Sequence, residues 1–385
     1  MIFVARNQSG ETVEYRDTKR WLWILSVLSP AVPMAAALAM IGSGNPVWSL
    51  VPLAFYYVAI PMLDAAFGED DDNPPEAVIE ALSSDNYYRV LLFASIPVFY
   101  GSFLISMYAA MQAATPWWAM LALAWSAGVA SGAGITVGHE LGHKPNRADQ
   151  WGAKAILALT GYGHFSIEHN RGHHVMVATP EDPASARLGE SVYRFALREI
   201  PGAARRAVEL ERERLARKGL PFWHWRNDIL QSGAITVGMV IALTAWLGPL
   251  VLPLLAVHHL VGWLQLTFAN YVEHYGLLRE KRPDGRYMPC EPRHSWNTNH
   301  IVSNLMLFHL QRHSDHHANP LRPYQTLRNF DDLPRLPSGY PGCYVLAVMP
   351  PAWFRVMDPK VLAWAGGDLS RTNHLPGYRP GYRLQ

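Results

Sequence analysis

The sequence predicts an all-α integral membrane protein, with six transmembrane helices arranged as three hairpins beneath a helical cytoplasmic cap. Three observations carry this. Three long stretches, 21–63, 90–138 and 229–272, contain no Asp, Glu, Lys or Arg. Each is broken once near its middle, at Gly42–Pro46, Ala113–Pro116 and Gly248-Pro249. The polar remainder gathers histidines at or just beyond the ends of these stretches.

A membrane helix needs about 20 apolar residues, so each stretch is long enough for two. The predicted spans are 21–41 and 47–66, then 90–112 and 117–138, then 229–247 and 250–272, in a single membrane domain over 1–385. Only 17% of the chain is charged, below the roughly 25% of a soluble domain. The hairpin turns are too short to hold anything. Residues 1–20, 64–89, 139–228 and 273–385 must therefore emerge on one face. Arg6, Arg16, Lys19 and Arg20 precede the first span, and 139–228 is rich in Arg. Positive residues beside spans favour the cytoplasmic side. The first apolar stretch is a full span, longer than the core of a cleaved signal.

Composition also excludes. Cys290 and Cys343 are too few for a disulfide framework or a Cys-rich metal site. A net charge of +2 gives no footprint for nucleic acid, and no aromatic-basic recognition motif is present. The glycine-rich GAGITVG at 132–138 lies inside the fourth span with no strand before it, so it is no dinucleotide site. Arg205–Lys218 alternates Arg with Glu and reads as a solvated helix at the cytoplasmic surface.

The chemistry is in the 17 histidines. HELGHK supplies His139 and His143; EHNRGHH supplies His169, His173 and His174; NYVEHYG supplies His274; LQRHSDHH supplies His313, His316 and His317. Residues i and i+4 share a helix face. His139 with His143, His169 with His173, and His313 with His317 can each present two imidazoles to one metal. His174 and His316 point about a quarter-turn away on a helix. Nine imidazoles exceed the four or so ligands of a zinc site and suit two ions, so the predicted cap holds a dinuclear metal site. Imidazole suits iron, copper, zinc and nickel, and the lack of Cys argues against copper(I) or iron–sulfur centres. Iron performing oxygen chemistry is the best fit, though spacing does not identify the metal. The remaining histidines, 164, 224, 258, 259, 294, 300, 309 and 374, read as ordinary interfacial polar residues.

At these four boxes the chain resembles the membrane-bound alkane 1-monooxygenases, within the histidine-box membrane diiron enzymes that include fatty-acid desaturases, hydroxylases and xylene monooxygenases. The similarity runs from roughly Leu63 to Asn319, with the boxes in the family's order and separations. It implies two iron ions on the nine histidines and O2 as co-substrate. It also implies terminal hydroxylation of medium-chain n-alkanes to primary alcohols in a bacterial inner membrane, with the active site toward the cytoplasm. The implied electron donor is rubredoxin, reduced by an NADH-dependent rubredoxin reductase. Rubredoxin iron needs four Cys, so electrons must arrive from a separate protein.

Two further expectations follow. Carboxylates beside the ligands, Glu140, Glu168, Glu273 and Asp315, are candidates to orient ring N–H groups. An alkane must come from the bilayer. Ile135, one turn before His139, and Asn270, Thr267 and Trp263, stacked below His274, are expected to line its route. Tyr56 and Tyr57 in the second span are candidate stops.

Three rivals remain. HELGH also matches the HExxH zinc-protease motif, with Glu140 as base; it leaves seven patterned histidines unexplained. A xylene monooxygenase, or a desaturase or hydroxylase of the same superfamily, shares the metal and differs in substrate. A metal transporter should place its ligands inside the spans, whereas most of these lie past the span ends.

Overall fold

The structure, a computed structural model, describes residues 1–379. A hairpin of β1 (Ile2–Arg6) and β2 (Thr12–Arg16), with Ile2 opposite Arg16, leads the chain. It is the one sheet among the described residues, a small departure from the all-helical expectation. Then come α1 (Arg20–Ser43), α2 (Pro46–Phe67), α3 (Asn86–Ala110) and α4 (Trp117–Gly142). The polar segment that follows folds as α5 (Arg147–Ala158), α6 (residues 165–176) and α7 (Val192–Ala216). After α8 (Asp228–Leu247) and α9 (Val251–His274), the C-terminal segment carries α10 (Ile301–Met306), α11 (His313–Ala318), α12 (Tyr340–Ala347) and α13 (Pro350–Trp364). Six of these, α1 to α4 with α8 and α9, are long and apolar enough to cross a membrane, and the chain is an integral membrane protein.

The sequence breaks act as helix punctuation. Gly44 (φ 69°) ends α1 and Gly248 (φ 85°) ends α8, each in a conformation that suits glycine. Asp85 and Asn227 cap α3 and α8 by accepting from backbone N–H groups two residues on, both at 2.9 Å. Helix α8 leaves Val237, Ile241 and Trp246 more than half exposed, as a lipid-facing helix does.

Helix α4 packs on α9 through small residues. A Cβ added at Gly128 would lie 2.8 Å from the His258 carbonyl oxygen, and one at Gly132 would lie 3.0 Å from that of Gly262. Absent side chains let the two backbones approach closely, a common device between membrane helices. This brings the C-terminal ends of α4 and α9, and their histidines, side by side.

The polar segments are tied together at one end of the bundle. Lys19 pairs with Asp70, and Arg20 with Asp85. Lys154 reaches Asp228 at 2.7 Å, and buried Arg312 donates to the carbonyls of Asp70 (2.6 Å) and Leu327 (2.9 Å). The Arg205–Lys218 stretch is solvated on its outer face only. Helix α7 buries a stripe running Val192, Phe195, Glu199, Ala203, Ala207, Glu211 and Leu215. Glu211 is fully buried and is held by Arg214 at 2.5 Å and by the Asp228 N–H at 2.7 Å.

Candidate metal centre

Nine imidazoles converge where the ends of α4 and α9 meet α6 and α11. They fall into two groups: His139, His143, His169, His174 and His316, and then His173, His274, His313 and His317. In each group, one ring nitrogen per residue lies within 4.8 Å of all the others. Several face each other directly: His169 Nε2 and His174 Nε2 at 3.0 Å, His174 Nε2 and His316 Nε2 at 3.2 Å, His313 Nε2 and His317 Nε2 at 2.8 Å. The Nε2 atoms of His139, His143, His173 and His274 are buried without any hydrogen-bond partner. Unpaired buried nitrogens cost free energy, and so many aimed at two points suit two metal ions of five and four nitrogen ligands. Burial first, and neighbouring imidazoles second, hold His169, His313, His316 and His317 well below the usual histidine range. They are neutral, which metal binding requires.

One pairing differs from expectation. Spacing matched His169 with His173, but residues 169–173 form a π-helical turn. Such a turn adds a residue per loop, so His169 faces the same way as His174. His173 swings to the second group. The HxxHH box thus feeds both metal positions from consecutive residues.

The carboxylates sort differently from their sequence neighbourhood. Glu273 donates nothing and accepts from the Tyr340 hydroxyl at 2.7 Å, while its other oxygen lies 3.2 Å from His313 Nε2, the nitrogen that faces His317. It therefore sits at the ligating side of the ring, where orienting a far N–H was expected. Glu140 pairs with Lys144 at 3.0 Å in a separate surface cleft with Asp149; neither a ring nor a zinc-protease geometry engages it. Asp315 accepts from Asn319 (2.8 Å) and the Arg328 N–H (2.9 Å), fixing the loop after α11 and touching no ligand. Glu168 accepts from Arg206 at 2.5 and 2.9 Å.

The carboxylate that does orient one of the clustered rings, Asp182, was missed. Its Oδ2 accepts from His173 Nδ1 at 2.8 Å, and its Oδ1 accepts from Arg206 at 2.9 Å. Burial lowers the basicity of His173, but Asp182 outweighs this and raises it. Gly172 makes room for the clamp, since a Cβ there would lie 2.5 Å from Arg206 Nε. Asp182 lies in a loop eight residues beyond the box, and nothing in local spacing marks it.

An apolar cavity runs between the spans up to His139, His169 and His313. Of the residues expected to line a route, Tyr56, Tyr57, Ile135 and Asn270 do. Trp263 and Thr267 do not: Trp263 Nε1 donates to the Thr160 carbonyl at 2.7 Å and Thr267 Oγ1 to Glu199 at 2.8 Å. The cavity follows the face of α9 carrying Gln265, Leu266, Ala269 and Glu273, whereas His274 reaches its metal position from a neighbouring face. Two of the isolated histidines behave as ordinary polar residues: His258 meets Ser131 Oγ at 2.9 Å, and His309 stacks edgewise on Trp23.

Comparison with known proteins agrees with this geometry. Residues 116–344 match the fatty acid desaturase family. The chain is 53% identical over 370 residues to an alkane 1-monooxygenase of Pseudomonas putida, covering 96% of this chain and 92% of that protein. It is 51% identical over 369 residues to alkane 1-monooxygenase 1 of Alcanivorax borkumensis, covering 96% and 91%. A xylene/toluene monooxygenase hydroxylase component of Pseudomonas putida is more distant, 28% identical over 64% of each chain. The likeness thus extends well beyond 63–319 into both tails. The chain is an oxidoreductase that belongs to the alkane 1-monooxygenase family, within the fatty acid desaturase family.

Proposed function

We propose that this protein hydroxylates the terminal carbon of medium-chain n-alkanes with O2, giving primary alcohols. The observation that carries the reading is the continuity of the apolar cavity with imidazoles of both metal groups. An alkane offers nothing to hydrogen-bond, so its recognition rests on shape and exclusion of water. The walls supply both: Ile135, Ala269 and Leu266 flank the space, and pinned Tyr56, whose hydroxyl donates to the Ser29 carbonyl at 2.9 Å, closes part of its depth. A linear chain lying there presents its terminal methyl to His139, His169 and His313.

The nine histidines are the proposed ligands of two iron ions. All-imidazole ligation suits iron, as it does zinc and copper, and oxygenase kinship favours iron. Bound iron supplies the activation of dioxygen. The chain's own contribution is to hold neutral ring nitrogens in place and keep bulk water from the cavity. Hydroxylation consumes one O2, two electrons and two protons, and releases water with the alcohol. We assign the electrons to reduced rubredoxin, itself recharged by an NADH-dependent reductase. His143 and His174 are the least buried members of the ligand set and form the natural edge for electron arrival. The basic segments at that end of the bundle favour a cytoplasmic orientation in a bacterial inner membrane.

The test is direct. Purified protein is assayed for bound metal, then supplied with rubredoxin, its reductase, NADH and octane under air, beside His313→Ala. The expected result is about two irons per chain and 1-octanol from the wild type only. One zinc per chain and no octanol would overturn the reading.

A further inference from the structure

The alkane cavity is not wholly apolar where it meets the histidines. Asn270, one helical turn before His274 on α9, lines it there and is only 5% exposed. Its Nδ2 donates to Glu199 Oε1 at 3.2 Å, while Thr267 Oγ1 donates to Glu199 Oε2 at 2.8 Å. Glu199 comes from the buried stripe of α7 and is 1% exposed. Neither oxygen atom is free, since each accepts one donor. An ionised carboxylate only accepts, so it dictates which way the Asn270 amide turns: nitrogen to α7, oxygen away. Asn270 Oδ1 has no hydrogen-bond partner among the described residues.

Burial pushes the Glu199 carboxyl up to about 7, with Glu168 and Asp182 adding to the rise and the Thr267 and Asn270 bonds opposing it. The other titratable groups around it, Tyr162, His164, His169 and His173, line the same small void, and Arg206 neutralises the two neighbouring carboxylates. Above that range Glu199 is the acceptor that the geometry requires.

An acceptor left unpaired beside an apolar ligand gains nothing from an alkane. A hydroxyl satisfies it. We infer that Asn270 Oδ1, held in orientation by Glu199, accepts a hydrogen bond from the hydroxyl of a primary alcohol in the cavity, so that the site binds the alcohol in preference to an isosteric apolar chain. That the alcohol is this enzyme's product rests on the proposed function; its binding does not. Glu199 is then a positioning residue that acts through Asn270. One neutral hydrogen bond corresponds to about two- to tenfold in affinity.

Equilibrium binding of radiolabelled 1-octanol and of 1-chlorooctane, similar in shape but without a donor, separates the alternatives. It is measured on the metal-loaded protein in lipid nanodiscs, without reductant. Asn270→Leu is expected to weaken 1-octanol binding about two- to tenfold and leave 1-chlorooctane within about twofold. Asn270→Ala removes the same acceptor with a smaller side chain and should weaken 1-octanol relative to 1-chlorooctane in the same direction. Unchanged 1-octanol binding in either variant, or a parallel loss of both ligands, overturns the inference. Should Asn270→Leu not fold, Asn270→Ala decides alone. Because the assay needs no electrons, failure of octane hydroxylation leaves its result readable.

Discussion

His173 donates from Nδ1 to Asp182 Oδ2 at 2.8 Å, and this contact decides which nitrogen faces the second metal position. With the proton fixed on Nδ1, the buried and unpartnered Nε2 carries the free lone pair. Replacing Asp182 by Asn offers the ring a choice of tautomers at nearly constant volume. Such partners of metal-binding histidines typically contribute 10–100-fold in metal affinity. Asp182→Asn is expected to lose metal from the four-histidine group first, dropping the content toward one ion per chain after dialysis against a mild chelator. Retention equal to wild type would show that Asp182 does not control the tautomer.

Arg206 joins the same pair to a second buried acid, bridging Glu168 and Asp182. Removing it strands two buried carboxylates without their counter-charge. Breaking a buried ion pair in this way costs about 3–5 kcal/mol. Arg206→Met should therefore lower the thermal midpoint in detergent far more than Arg205→Met, whose guanidinium is 82% exposed and pairs only with Glu209 at the surface. Equal shifts for the two variants would exclude the clamp.

These two residues mark where local sequence stops informing. The hairpins were legible because apolar length and missing charge are properties of each segment alone, and Gly44 and Gly248 end helices where the sequence breaks lie. The histidine cluster was legible because helical spacing puts His139 with His143 and His313 with His317. The allotment of His173 and His174 was not, since one extra residue in the turn at 169–173 exchanges them. Nor was the cavity face of α9: Trp263 and Thr267 stack correctly below His274, but the partner helix determines which stripe meets the cavity. Asp182 and Arg206 are united by tertiary contact, 24 residues apart.

The approach of α4 to α9 is equally a tertiary matter, and it can be tested. A Cβ at Gly128 would lie 2.8 Å from a backbone oxygen and from Val261 Cβ, neither of which can swing aside as a flexible side-chain tip can. Overpacking of this kind costs about 1–3 kcal/mol. Here it would also part His139 and His143 from His274 and Glu273. Gly128→Val should lose bound metal and hydroxylation together, whereas alanine at Gly42, where a Cβ meets nothing within 4 Å, should lose neither. Full metal content in Gly128→Val would mean that the helices can separate without moving the site.

Metal binding should also be unusually tolerant of acid. Ligand histidines must be neutral, and burial keeps His169, His313, His316 and His317 neutral well below the ordinary value, with His173 alone raised by Asp182 among the α6 and α11 rings. As pH falls, an ordinary exposed histidine site near pKa 6.5 begins to lose its metal through competition with protons. This site should hold its ions after dialysis at about pH 5.5, and stripping them with a strong chelator should lower the thermal midpoint, as loss of any native-state ligand does. Half-loss of metal at about pH 6.5 would contradict the buried, neutral environment.

Tyr57 stands between two apolar spaces. It lines the main cavity and also a neighbouring apolar void bounded by Trp125, Phe268 and Tyr344. Trp125 Nε1 donates to its hydroxyl at 3.3 Å, and Trp125 and Val348, which line the void, are both more than 40% exposed on the apolar surface. Truncating Tyr57 to Ala should merge the spaces and lengthen the straight path available to an alkyl chain. Tyr56 differs, because its hydroxyl donates to the Ser29 carbonyl beside the Val32 N–H, and truncating its buried ring would lose that bond and leave a hole in the bundle. In competition between octane and dodecane, Tyr57→Ala should shift the product ratio toward dodecanol with metal content unchanged, while Tyr56→Ala should lose stability as well. An unaltered ratio in Tyr57→Ala would remove it as a stop and place the limit on chain length deeper, among the residues packed around Pro30 and Phe99.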